Sequence, residues 1–159
     1  MTLQKIGLFL PHLGLSQLAF CAIHQVNTLL QKKRNIDIVL FYEDLYQPCI
    51  NPLCGAMCSS ELRNFNGTII STTLNTTIKT AKTVANFQRH IFYVWDIEWY
   101  RPMYKDYLYN LQAYRDPNID IVLRHPDYKK PFTDYANRDV TKFVDNVDIE
   151  HIIGETNEH

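Results

Sequence analysis

The chain has 159 residues, 46% apolar and 21% charged, enough for one domain with its own core and with little room for a second. Sixteen Lys and Arg stand against seventeen Asp and Glu, a net charge of -1, which provides no global attraction to nucleic acid or to an anionic membrane. No apolar stretch approaches the ~20 residues that cross a bilayer, and Pro11, His12 and Gly14 interrupt the first apolar run too early for a secretory leader, so the cytoplasm is the expected location.

The apolar pattern changes period repeatedly along the chain. Lys5-Ile-Gly-Leu-Phe-Leu10 is a strand candidate, broken by Pro11-His-Leu-Gly14. From Ser16, a suitable N-cap, Leu15, Leu18, Ala22, Val26, Leu29 and Leu30 recur at helical spacing up to Arg34-Asn35. Ile36 to Phe41 predicts a second strand, and a polar, proline-containing stretch follows it through Gly55. Ser59 to Phe65 fits one or two helical turns. Thr68 to Thr72 predicts a third strand, followed by a helix that Asn75 would cap. His90-Ile-Phe-Tyr-Val-Trp95 predicts a fourth. Pro102 then opens a helix carrying Tyr104, Tyr107, Leu108, Leu111 and Tyr114. Ile119 to Leu123 predicts a fifth strand. A helix over Pro126 to Arg138, kinked or restarted at Pro131, comes next. A short sixth strand over Val140 to Val144 and a last helical turn at Ile149 to Ile153, ended by Gly154, complete the chain.

Short apolar strands alternating with longer helices are the signature of β-α-β units. Near-continuous apolar strands suit a sheet covered on both faces. The expected architecture is α/β: a Rossmann-like three-layer α/β/α sandwich with a mainly parallel sheet of five to six strands. It forms a single domain over residues 1–154, with residues 155–159 a frayed tail.

Ligands of such sheets bind beyond the carboxyl ends of the strands, so the residues after each strand are the site candidates. These are His12 and Gly14, then Glu43 and Asp44, then Thr72, Thr73 and Asn75, then Asp96, Glu98 and Trp99, then Arg124 and His125. An edge of acids, histidines and hydroxyls suits a polyhydroxylated or phosphorylated small molecule. His12 reads as a base or substrate contact, against a structural histidine. Asp96 and Glu98 read as an acid/base pair, against loop acids in which Asp96 caps a turn and Glu98 pairs with Arg101. Trp99 stacks on a ligand or packs between loop and helix. The tyrosine series reads first as a core-facing stripe and second as a dimer surface.

Other features point away from common activities. There is no G-x-G-x-x-G and no P-loop, so no cofactor is expected. The cysteines Cys49, Cys54 and Cys58 have a C-x4-C-x3-C spacing that does not match a zinc pair, so they read as free thiols and no metal is expected. Lys32-Lys33-Arg34 sits where cations complement a helix C-terminus.

Arg89-His-Ile-Phe-Tyr-Val-Trp-Asp-Ile-Glu-Trp99 resembles a stretch in the N-terminal domains of GT-B glycosyltransferases, and the units at Ile6, Asn66 and Ile119 follow the same element order. The chain is most similar in look to short glycosyltransferase-like phage proteins. The resemblance implies the acceptor-side half of such an enzyme. His12 or Asp96 would deprotonate an acceptor hydroxyl that attacks the anomeric carbon. Gly14, Thr72, Thr73, Glu98, Trp99, Arg124 and His125 would contact substrate. The nucleotide sugar would be held mainly by a separate donor-binding partner protein, because this length leaves no place for the donor half. The rival expectation is a non-catalytic binding or assembly module, a homodimer or partner adaptor, that keeps the fold.

Overall fold

The computed structural model describes residues 3–33, 35–100 and 107–154. The tail 155–159, Arg34, Arg101, Pro102 and Tyr104 fall outside that range, as does the side chain of Tyr107, so the expectations placed on them lie outside the described residues.

The first strand, β1 (Gln4–Leu10), leads into α1 (Gln17–Lys32). Ser16 caps α1 by accepting from the Ala19 N–H at 3.0 Å, which satisfies one of the orphan donors of the first turn. Leu18, Ala22, Ile23, Val26 and Leu29 recur three or four apart and are all buried. Leu15 is not part of this stripe: it precedes the cap and is 93% exposed. After α1 come β2 (Ile36–Tyr42) and β3 (Gly55–Cys58), then a 3-10 turn at Ser59–Asn64 and β4 (Thr68–Ser71). The chain continues through α2 (Leu74–Lys82), β5 (Arg89–Val94), α3 (Tyr107–Arg115), β6 (Ile119–Leu123), α4 (Lys129–Ala136) and α5 (Ile149–Ile153).

The strands form one six-stranded sheet in the order β3-β2-β1-β4-β5-β6. Every pair is parallel; Ile6 faces Ile38 on one side of β1, and Leu8 faces Ile70 on the other. Strand order reverses between β1 and β4, which is the switch point of a doubly wound sheet. One face buries Ile6, Leu8, Leu10, Leu40, Ile91 and Tyr93 against α1 and α5. The other buries Phe92, Val94, Ile121 and Leu123 under α3 and α4, and Phe9, Phe41 and Ile69 beneath Leu62 of the 3-10 turn. This is the expected three-layer sandwich.

Three local expectations are corrected. The sixth strand is Gly55–Cys58, not Val140–Val144. Gly-Ala-Met-Cys has no β-branched residue and no alternation, so only its pairing with β2 makes it a strand. Residues 140–144 instead cross the sheet edge, with Val140 in one hydrophobic layer and Val144 in the other, and Phe143 makes a single bridge to Leu123. Second, α2 is capped by Thr73, not Asn75. The Thr73 hydroxyl accepts from the Thr76 N–H, and the Thr76 hydroxyl accepts from the Thr73 N–H. Third, the restart before α4 falls at Lys129, after a 3-10 turn at Pro126–Tyr128. Pro131 is the third residue of α4, where its missing N–H would have had no intrahelical partner.

In α3, Tyr114 and Leu111 are buried while Leu108 and Tyr109 are exposed, so this part of the tyrosine helix is core-facing on one side only. No described helix is long and apolar enough to cross a membrane.

Candidate functional site

Because every strand runs parallel, the segments after all of them lie at one edge of the sheet. The structure therefore brings the predicted residues to a common edge, and within it they fall into three groups.

The first group surrounds the turn after β1. The Gly14 N–H donates to His12 Nδ1 at 3.0 Å, and Tyr46 meets the His12 ring edge-on with centroids 5.0 Å apart. In the neutral ring this leaves the proton on Nε2, because the lone pair at Nδ1 is already engaged. His12 is thus arranged as a hydrogen-bond donor through Nε2; the base chemistry expected of it would need the lone pair that Gly14 holds. Gly14 does not have a left-handed backbone. It is needed for space, since a Cβ there would sit 2.9 Å from Tyr46 Cβ. The Pro11 carbonyl accepts from the N–H groups of Glu43 and Asp44, tying the turn after β1 to the end of β2. Glu43 pairs with Lys79 at 2.7 Å and accepts from the Ser59 hydroxyl.

The second group sits at the start of α2, on the β4 side of the switch point. Thr72 is buried and donates its hydroxyl to the Phe9 carbonyl at 2.7 Å, joining β4 to β1. Thr73 is the cap described above. Glu98 is only 7% exposed, and its Oε2 accepts from the Leu74 N–H at 2.7 Å. A helix N-terminus at this position is where an anionic ligand of a doubly wound sheet would be held. Here the chain's own carboxylate and threonine hydroxyls occupy those donors. Thr73, Thr76 and Glu98 close the helix start, while the Thr72 hydroxyl ties it to β1. Trp99 is likewise drawn inward: it stacks on Tyr135 and meets Tyr114 and Phe132 edge-on, with its Nε1–H buried and without an acceptor among the described residues.

The third group lies beyond β5 and β6. The Arg124 guanidinium sits 3.7 Å from the centroid of the Trp95 ring, with Asp145 3.5 Å from its Nε. Tyr93 donates its hydroxyl to the Val144 carbonyl at 2.7 Å and accepts from the Val147 N–H, and burial raises its pKa. Asn146 and Val147 both have left-handed backbones there, at φ 55 and 57. For a β-branched residue that conformation is strained, and the Tyr93 hydroxyl holds it. Asp96 accepts from the N–H of Ile97, a turn contact. His125 caps the 3-10 turn by accepting from the Asp127 N–H, with the Asp127 carboxylate 3.4 Å away.

Sequence reasoning missed a buried polar cluster on the α2 side of the sheet. Ser71 Oγ lies 2.9 Å from His90 Nε2 and 2.8 Å from Thr77 Oγ1. Burial pushes the His90 pKa down to about 4, so the ring is neutral at pH 7. A serine beside a neutral histidine resembles a nucleophile pair, but Ser71 is fully buried and Thr77 shares its hydroxyl. The signal lay in the run of hydroxyl residues from Ser71 to Thr80, whose spacing of three and four marks a capping and back-bonding pattern.

A mixed charged cluster marks the opposite edge, where Arg89 pairs with Asp120. Arg89, Arg138 and Lys142 line a cavity of about 190 Å³, and each donates to carbonyls at helix ends: Ile153, Tyr114 and Asp116, and Ile152 and Gly154. Their role is to satisfy the last carbonyls of α3 and α5. The thiols differ in character. Burial pushes Cys54 up to about 11, while exposed Cys58 is lowered by hydrogen bonds from Ser60.

The frame is that of a Rossmann-like α/β sandwich in which the helix N-terminus beside the switch point is closed by the chain's own side chains. Against known proteins, the chain matches no family model, no curated protein and no solved structure.

Proposed function

We propose that this chain is a non-catalytic binding or assembly module on a Rossmann-like frame. The observation that supports this most directly is the Glu98 carboxylate on the Leu74 N–H, which fills the anion-holding position beside the switch point. The exposed Leu15, Leu45 and Tyr46 around the His12 turn add apolar surface of the kind that contacts proteins. A thermal-shift screen against nucleotide sugars, free nucleotides and simple sugars tests it. A ligand at 100 times its dissociation constant would stabilise by ~2.7 kcal/mol. No shift is expected. Stabilisation by a nucleotide sugar that disappears in His12→Ala and Arg124→Ala would overturn the proposal.

A second reading follows the family resemblance: an acceptor-side glycosyltransferase subunit that works with a donor-binding chain. The Nε2 donor of His12 and the Arg124–Trp95 stack favour it, since both suit a sugar hydroxyl or ring. It requires sugar transfer in a reconstituted pair that Asp96→Asn abolishes without unfolding the domain; unchanged transfer would remove Asp96 from that role.

A further inference from the structure

The two edges of the sheet are treated differently. At β6 the segment 142–144 covers the edge: the Leu123 N–H donates to the Lys142 carbonyl, and the Val144 N–H donates to the Leu123 carbonyl. At β3, Gly55, Ala56, Met57 and Cys58 are all exposed. Apart from its length of only four residues, this edge carries no blocking device. It has no charged residue and no proline, and its register with β2 runs without a bulge from Val39 opposite Gly55 to Tyr42 opposite Cys58. Its outer side is a row of backbone donors and acceptors that only another extended backbone matches.

A cavity of about 380 Å³ adjoins the edge. Val39, Met57 and Phe65 supply apolar walls, and Lys5, Asp37 and Glu61 supply charge. A Cβ built on Gly55 would meet nothing within 4 Å, so there is open space beside the first residue of the edge. Side chains of an added strand alternate between the two faces, so every second one would face this cavity.

We propose that the β3 edge receives a short extended peptide from a partner protein by strand addition, with an apolar residue in the cavity and a basic residue near Asp37 and Glu61. Two carboxylates against one ammonium give the groove its preference for a basic peptide. A second copy of this chain fits less well. Self-pairing of four residues spans only ~13 Å, whereas a stable dimer buries about 800 Å² per partner. A free peptide can follow both edge and groove. This inference rests on the sheet edge and the cavity beside it, not on the reading above, so a nucleotide-sugar response would overturn that reading and leave this one standing.

The test uses fluorescent peptides in which valine or phenylalanine and lysine stand two residues apart, so that both side chains face the cavity, each paired with a version N-methylated on alternate backbone nitrogens. Fluorescence anisotropy should show saturable binding of at least one parent peptide and a loss of roughly tenfold or more on methylation, the scale of one lost hydrogen bond. Amide hydrogen exchange should slow within residues 55–58 on binding. Met57→Lys, at an exposed position, should abolish binding while circular dichroism stays unchanged. The proposal is overturned if no peptide binds, if methylated and parent peptides bind alike, or if exchange within 55–58 does not slow. A free chain that sediments as a dimer with those amides protected would also overturn it, since the occupant would then be a second copy.

Discussion

Glu98 and Leu74 meet at the start of α2, where the buried carboxylate takes the N–H of the first helical residue at 2.7 Å. The contact combines a charge-assisted hydrogen bond with the favourable end of a helix dipole. Glu98→Ala leaves a buried donor without an acceptor and should cost about 1–3 kcal/mol in urea unfolding. Glu98→Gln keeps an acceptor of the same shape and should cost less. Equal losses would mean that shape, not the acceptor, is what matters there.

His90 should make stability depend on acid. Its ordinary pKa is 6.5, and burial holds it near 4 in the folded chain. Above pH 6.5 the ring is neutral in both states and contributes no pH dependence. Between 6.5 and 4 the unfolded chain takes up the proton first, so stability falls as pH falls; below about 4 the loss is complete, on the order of 3 kcal/mol. Urea titrations of wild type and His90→Asn across pH 8 to 4 should converge as pH drops. A constant difference would show that the ring titrates freely.

Gly14→Ala places a methyl against Tyr46 Cβ at 2.9 Å and His12 Nδ1 at 3.3 Å. Overpacking of this kind costs roughly 1–3 kcal/mol, here toward the lower end because Tyr46 is half exposed. Tyr46→Gly in the same chain, which removes that Cβ, should recover most of the loss. Additive losses in the double mutant would mean that the two do not touch.

Tyr93→Phe removes the donor to the Val144 carbonyl and the acceptor for the Val147 N–H, both buried. Thermal unfolding should register about 1–3 kcal/mol of destabilisation. The same loop reverses a familiar order. A left-handed conformation costs an alanine roughly 1–2 kcal/mol and a glycine nothing. Val147→Gly should therefore be at least as stable as Val147→Ala, although Val147 is fully buried. A clearly weaker glycine variant would show that the backbone there is not strained.

The layers of the fold were readable because periodicity reports burial directly: the stripe from Leu18 to Leu29 and the apolar runs of β1, β5 and β6 are local facts. β3 was not readable, since its strand character comes from Val39 to Tyr42 across the pairing and not from its own residues. The site was readable only as an edge. Parallel strands send Thr72, Thr73, Glu98 and Arg124 to one side, but whether a polar group faces a ligand or its own backbone depends on partners far away in sequence. Glu98 finds Leu74, and Thr72 finds Phe9, 63 residues apart. A lone carboxylate in the sequence carries no mark of that choice.

Residues 140–149 leave the layer of α3 and α4, pass over the edge at β6 and finish beside α1. They act as a strap between the outer layers of the sandwich. A pull applied at Gly154 would peel α5 from α1, release the loop held by Tyr93 and bare the β6 edge in sequence. The mechanical weak point of the domain would then lie at this seam, and a protease that nicks the exposed 145–146 segment would loosen both layers at once.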